Sequence, residues 1–199
     1  MKPDQNTTES LQTMSKVSIS GNASGTGVFT IQAPNSNVDR VLSLPDEAGT
    51  VLTTAGVPAS AMPAGSVLQV VNGSYGTQQS FTSGNWTATG FALSITPQFA
   101  SSKILVLTTS NGYTSASSYL YFTVYRDTVV NLGHASYGFG ELYGNTGDRF
   151  GQVSASILDA PTTTSAVSYQ VYASVSGSTG YMNLNTGEKS TMTLVEIAA

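Results

Sequence analysis

The chain has 199 residues, of which 40% are hydrophobic and only 9% charged, with a formal net charge of -4 and no cysteine. Its seven Lys and Arg residues are scattered and form no basic stripe that could track phosphates, which argues against a nucleic-acid partner. The lack of cysteine rules out a domain stapled by disulfides, so the fold must rest on its own core or on its neighbours. A typical globular domain carries about 25% charged residues. Here Ser, Thr, Gly and Asn stand in their place beside many Val and Tyr. Thr, Val and Tyr suit a pleated, half-buried surface and Gly, Asn and Ser suit turns, so the composition predicts an all-β protein.

Residues 1–20 read as a polar leader. The opening MKPDQNTTES has no apolar stretch of the signal-peptide kind, and no run in the chain approaches a membrane span in length. Asn6 and Glu9 have capping-box spacing, and Leu11 and Met14 would form one apolar side of a short helix that needs a surface to dock on. A disordered tail is the alternative reading.

Residues 21–55 form a distinct unit. Its apolar runs Val28–Ile31 (which includes Phe29), Val41–Leu44 and Val51–Leu52 are separated by turn residues at Pro34–Asn37 and Pro45–Gly49. This predicts three short strands with two tight connections. Strands this short bury no core alone, and identical copies from neighbouring chains would supply the missing surface. Residues 56–66, with Pro58 and Pro63 among small residues, predict a semi-stiff linker.

Residues 67–199 read as strand after strand. Ile104–Leu107 is a continuous apolar run, suited to a central strand covered on both faces. Tyr119–Arg126 alternates, with Leu120, Phe122 and Val124 on one side and Tyr119, Tyr121 and Tyr125 on the other. The tyrosine side suits either solvent or an intersubunit surface, and the shortage of charge favours the latter. Residues 167–176 show the clearest period of two. Eight or nine strands are expected, as a β-sandwich of jelly-roll-like type whose strand order the spacing leaves open.

The run GTGVFTIQAPNSNVDRVLSLPDEAGTVLTT resembles a repeat of phage tail-fibre and related virion structural proteins, marine ones included. Further along, ITPQFASSKILVL, YLYFTVYRD, LDAPTTTSAVSYQVYA and STMTLVEIAA resemble, in the same order, the C-terminal domains of such proteins. The resemblance implies a structural role in the virion, often as a trimer, with host contact in some members and no enzymatic motif. It implies a virion location and a short stalk, since the repeat occurs once.

Catalytic constellations are sparse. His134 is the single histidine, which leaves a Ser-His-Asp triad one candidate and a zinc site too few ligands. Glu141, Asp148 and Asp159 form no recognisable glycosidase pair, and Asp159 before Ala-Pro suits a turn. The Glu141–Asp148 loop offers oxygen ligands to calcium but has no EF-hand spacing. No catalytic residue, metal or cofactor is expected. Aromatics on Gly-rich loops make contact surfaces, so Tyr137, Phe139, Tyr143 and Phe150 in the 133–151 loop, and Tyr113 at the tip of the 111–118 loop, are the receptor-binding candidates. Inward packing is the alternative for each. Leu11, Met14, Phe29 and Ile31 are the virion-attachment candidates. The expected whole is a homotrimeric, non-enzymatic virion protein of fibre type, held to other virion proteins by its N-terminal part. It would display a β-sandwich head to a host cell-surface glycan or protein, without nucleic acid or membrane insertion. A capsid decoration or head-fibre protein and a glycan depolymerase are the rivals. An extracellular lectin of host origin is a third.

Overall fold

A computed structural model describes residues 57–82 and 84–199, together with residues 21, 23–28, 30, 35–39 and 41. The chain divides into two compact units, Met1–Gly49 and Thr50–Ala199. The leader, most of the expected stalk strands (all but Val28, Thr30 and Val41) and the attachment candidates Leu11, Met14, Phe29 and Ile31 lie outside the described residues.

Eleven strands are found among the described residues, all in the second unit: β1 (Val67–Tyr75), β2 (Gln79–Phe81), β3 (Thr87–Ile95), β4 (Lys103–Thr114), β5 (Ser118–Arg126), β6 (Val130–Asn131), β7 (Gly140–Gly144), β8 (Arg149–Asp159), β9 (Val167–Ser176), β10 (Gly180–Met182) and β11 (Ser190–Ile197). They fill eight places in two antiparallel sheets. In the first sheet β1 pairs with β11, β11 with the first part of β4, and β4 along its other edge with β8. The short β10 takes over the β11 edge at Gly112–Thr114, and β2 pairs with β10. In the second sheet the order is β3, β9, β5, with β6 and β7 sharing the last edge. Beyond the β1–β2 and β10–β11 neighbours, the chain changes sheet at every step except from β5 to β6 and β7, which is the jelly-roll order. The β-sandwich expected from composition and alternation is therefore the observed fold.

One core lies between the sheets. Ile104 and Val106 of β4 and Met192 and Leu194 of β11 face Leu120, Phe122 and Val124 of β5 and Tyr169 and Val171 of β9, all buried. The alternation in β9 holds over most of its length, as the period of two requires. In β3 the ladder is interrupted between Ala88 and Ala92, where Gly90 sits at φ 72°. That left-handed backbone favours glycine, and the irregularity bends the edge of the second sheet. Ile104–Leu107 departs from expectation. Its inner residues are buried, but Leu105 and Leu107 point away from the core and Leu107 is exposed.

Two polar clusters, each centred on an acidic side chain, tie the strands together at one pole. Asp159 accepts two hydrogen bonds from Arg126 at 2.8 and 2.9 Å and a third from the Tyr169 hydroxyl at 2.8 Å. These three residues come from β8, β5 and β9, so the pair links the two sheets, and Asp159 is more than the turn residue its Ala-Pro context suggests. Burial, then the bond to Asp159, pushes the Tyr169 hydroxyl far above its ordinary value and keeps it a donor. Glu196 is fully buried. It accepts from Gln69 Nε2 at 2.6 Å and from the Gln98 backbone N–H at 2.7 Å, which fastens β11 to β1 and to the β3–β4 connection. The Ser102 hydroxyl lies beside it outside good hydrogen-bond geometry. Burial alone would raise the Glu196 pKa, but Ser102, the Gln69 bond and the backbone donors of Gln98 and Phe99 outweigh it and hold the carboxyl below its ordinary value.

Two consequences are measurable. Because folded Glu196 titrates below its ordinary value of 4.5, its ionised form adds stability above that pH, and the contribution is lost as pH falls through the lower folded value. The urea midpoint of the wild type is expected to fall more steeply below about pH 4.5 than that of Glu196→Gln; parallel curves for the two proteins would show that this carboxylate is not the acid-sensitive group. At neutral pH, Glu196→Ala leaves the Gln98 N–H without its acceptor and takes from Gln69 Nε2 one of its two, the other being Thr96 O. It should cost about 3 kcal/mol in equilibrium unfolding.

Candidate functional site

The sheet register sorts the expected contact residues into three places. Tyr143 and Tyr137 join one group. On the outer face of the second sheet, Tyr119 of β5 stands opposite Tyr143 of β7, with ring centroids 4.2 Å apart and planes at 14°. Tyr119 also stacks on Tyr121, two residues along the same strand face, at 5.8 Å and 4°. Tyr121 meets Tyr137 at 5.8 Å, and Tyr137 stacks on His134 at 5.1 Å and 11°. The result is a continuous strip of five rings. Tyr137, 59% exposed, is its most open tyrosine, while Tyr121 is buried beneath its neighbours. The tyrosine face expected to be solvated or intersubunit is thus partly covered by the chain itself.

The segment that covers it is the β6–β7 connection. Leu132 N–H donates to Val124 O and Phe139 N–H to Phe122 O, continuing the ladder at the edge of β5. Between them His134 and Gly138 bridge to each other, which makes the loop a small hairpin standing on the sheet. Trp86 Nε1 donates to Ala135 O at 2.6 Å and clamps it. The Nδ1 of His134 accepts from the Ser136 and Tyr137 backbone N–H groups, both at 3.2 Å, so the ring proton belongs on Nε2 and the imidazole orients Tyr137. His134 is here a positioning group in a tight turn. Phe139, expected at a contact surface, turns inward and packs on the core beside Leu132. A large apolar ring at the base of the hairpin gains more from burial than from exposure.

Tyr113 and Phe150 meet elsewhere. Tyr113 lies within β4 rather than at a loop tip, because β4 extends to Thr114 in register with β8. On the outer face of the first sheet it stands opposite Phe150, with centroids 4.8 Å apart, and 5.7 Å from Tyr181 of β10 on the other side. Phe150 is 53% exposed. Asp148 raises the Tyr113 pKa, chiefly by hydrogen bonding to its hydroxyl. The stretch 133–151 is therefore a hairpin, a strand and a turn leading into β8, and its aromatics serve two different sheets and the core. Tyr181 is absent from the candidates that sequence suggests, since a three-residue strand carries no period to read.

Two phenols of the strip, those of Tyr119 and Tyr121, are held above their ordinary value and stay donors. Burial, then Tyr143 and Glu141, raises Tyr119, and burial, then Glu141, raises Tyr121. Glu141, exposed on β7, is the carboxylate that acts on both, and no group of three or more His, Cys, Asp or Glu able to hold a metal occurs among the described residues. What the strip offers chemically is a row of mutually stacked aromatic rings carrying phenol hydroxyls, suited to apolar contact and hydrogen bonding.

The geometry makes Gly138 the sensitive point of this site. It sits at φ 62°, and a Cβ there would run into the Phe122 carbonyl, which is already held by the Phe139 N–H. Gly138→Ala should cost more than about 2 kcal/mol and open the hairpin, read as faster proteolysis between His134 and Phe139. Unchanged cleavage would mean that the hairpin tolerates another conformation. No protein-family model matches this chain, and no curated protein matches it.

Proposed function

We propose that the chain is a bacteriophage virion structural protein of fibre type, carried on the particle by its N-terminal part. Its jelly-roll head would contact the host surface by binding rather than catalysis. The fibre-like motifs of the sequence support this reading, and so does an architecture common to viral capsid and lectin domains, an analogy of fold. The observation that carries the binding role is the five-ring strip on the second sheet. Gly65 and Ser66 enter the head paired to Ala198, at the end of the sandwich where Lys103 begins β4. Tyr143 and Tyr119 lie toward the opposite end, where β4 turns into β5. A head tethered at one pole and aromatic toward the other is oriented to meet a surface. Tyr137 and Tyr143, the open rings of the strip, would offer apolar contact to the C–H side of a sugar ring and hydroxyls to its edge. Single contacts of this kind are weak, and several heads on one homotrimeric stalk would raise the effective concentration of each.

The test uses the full chain against immobilised bacterial lipopolysaccharide and capsular polysaccharide. Binding is expected, and Tyr137→Ala and Tyr119→Ala should each weaken it roughly tenfold, while Val129→Ala on the far turn leaves it intact. Retention by none of these surfaces, together with co-sedimentation on phage capsids, would instead favour the decoration reading. Release of reducing sugar, abolished by Glu141→Gln, would favour a depolymerase.

A further inference from the structure

Among the described residues, none covers the outer face of the first sheet. The register carries one row of aliphatic side chains across all four strands: Val70 of β1 opposite Val195 of β11, opposite Leu105 of β4, opposite Leu158 of β8. Val70 is 58% and Leu158 56% exposed. Val67 and Ile197 extend the row toward the linker pole, and Leu107 extends it toward the centre. A contiguous apolar patch of this kind is uncommon on a monomer.

Below it the rows are small and polar, with Thr191, Thr193, Thr109, Ser154 and Ser156 around a shallow depression. At the far end stands the aromatic row of Tyr181, Tyr113 and Phe150. The outward positions of β4, β8, β11 and β1 carry no charge except Lys103 and, at the far margin, Arg149 beside Phe150. The polar groups in the middle are paired with one another. Asn72 donates to Thr193 Oγ1 at 2.8 Å, Thr109 and Ser154 share a bond of 2.9 Å, and Gln152 donates to Asn111 Oδ1 at 2.7 Å. Covering the face therefore strands few donors, and the charges to be accommodated lie at its two ends, Lys103 at the linker end and Arg149 and Asp148 at the far margin.

We infer that this face is the self-association surface of the head, turned toward an axis that the copies share, and that what covers it is the corresponding faces of the neighbouring copies of the chain. The inference gives a location to the self-association proposed above and rests on it. Four strands at about 4.8 Å spacing and eleven residues at about 3.4 Å give a face of roughly 700 Å², close to the ~800 Å² per partner of a stable interface. Rotation about an axis parallel to β4 sets like rows at the same height, aliphatic on aliphatic and aromatic on aromatic. It also leaves every linker at the same pole, as a shared stalk requires. The same arrangement takes Tyr113 and Phe150 away from the receptor and leaves the strip on the second sheet facing outward.

The chain has no native cysteine, so a single introduced thiol reports cover directly. In the full-length protein, light scattering should give a multiple of 20.6 kDa. Leu158→Cys should react with a maleimide several-fold more slowly than Val129→Cys, although both positions are exposed in one chain. Adding Val70→Arg should restore the rate. A mass of 20.6 kDa would remove the proposed self-association itself, whether or not Leu158→Cys is protected. Equal rates in an oligomer, or protection that survives Val70→Arg, would overturn this face while leaving self-association standing. None of these readouts depends on polysaccharide binding.

Discussion

Two sheets share one core, and that arrangement constrains everything else in the head. Along each strand every second side chain is committed to the space between the sheets, so chemistry directed outward is confined to two faces, their edges and the loops at the poles. With charged residues this scarce, those faces cannot be made soluble by Lys and Glu in the usual way. They are filled instead by Ser and Thr in mutually bonded rows, by stacked tyrosines, and on the first sheet by bare aliphatics. The tyrosine strip and the aliphatic row follow from the same shortage, answered differently on opposite faces of the sandwich.

The few charges that do exist inside are placed where strands change partners or sheets. Arg126, Asp159 and Tyr169 join β5, β8 and β9 across the two layers. Glu196 fixes the end of β11 against Gln69 and Gln98. The neutral Asn183, buried at the joint between β10 and β11, works alike: it donates to Tyr75 O and accepts from Ser190. Apolar packing is tolerant of register and direction, whereas a buried carboxylate with directional donors tolerates neither. The sandwich owes its cohesion to the apolar core, and these polar groups select one alignment of its edges.

The fold class was legible because composition and alternation are local properties. The β9 pattern, the aromatic alternation of β5 and the turn residues after β3 and β8 all lie within a few residues of the feature they predict. Strand order was not legible, since which edge β11 joins depends on residues nearly a hundred positions away. The site was legible only in part. Tyr137 and Tyr143 were found from their Gly-rich surroundings, and they do join one strip, but the strip exists only because β7 pairs with β5 and brings Tyr143 against Tyr119. Phe139 had the same Gly-rich neighbourhood and went inward, because the bond from its N–H to Phe122 O places it at the edge of the core. Local sequence identifies a side chain that can make contact, while long-range pairing decides whether it faces solvent or core.

The run Ile104–Leu107 sets local pattern and long-range pairing most directly against each other. Four consecutive apolar residues in one strand point to both faces in alternation, and such a run belongs where both faces are covered. Among the described residues only the inner face is covered, and Leu105 and Leu107 stand in the aliphatic region of the outer one. The self-association proposed above would supply that second layer from a neighbouring copy. A neighbour at this position would convert β4 from a strand of a two-layer sandwich into one buried on both sides, at the centre of a larger assembly. Its ends would then do separate work, the aliphatic end holding copies together near the linker and the opposite sheet leaving its aromatic strip free. An exposed apolar face is an aggregation hazard when it stays open. Covered by a fixed partner, it instead gives a low-charge protein a way to assemble without competing electrostatic partners.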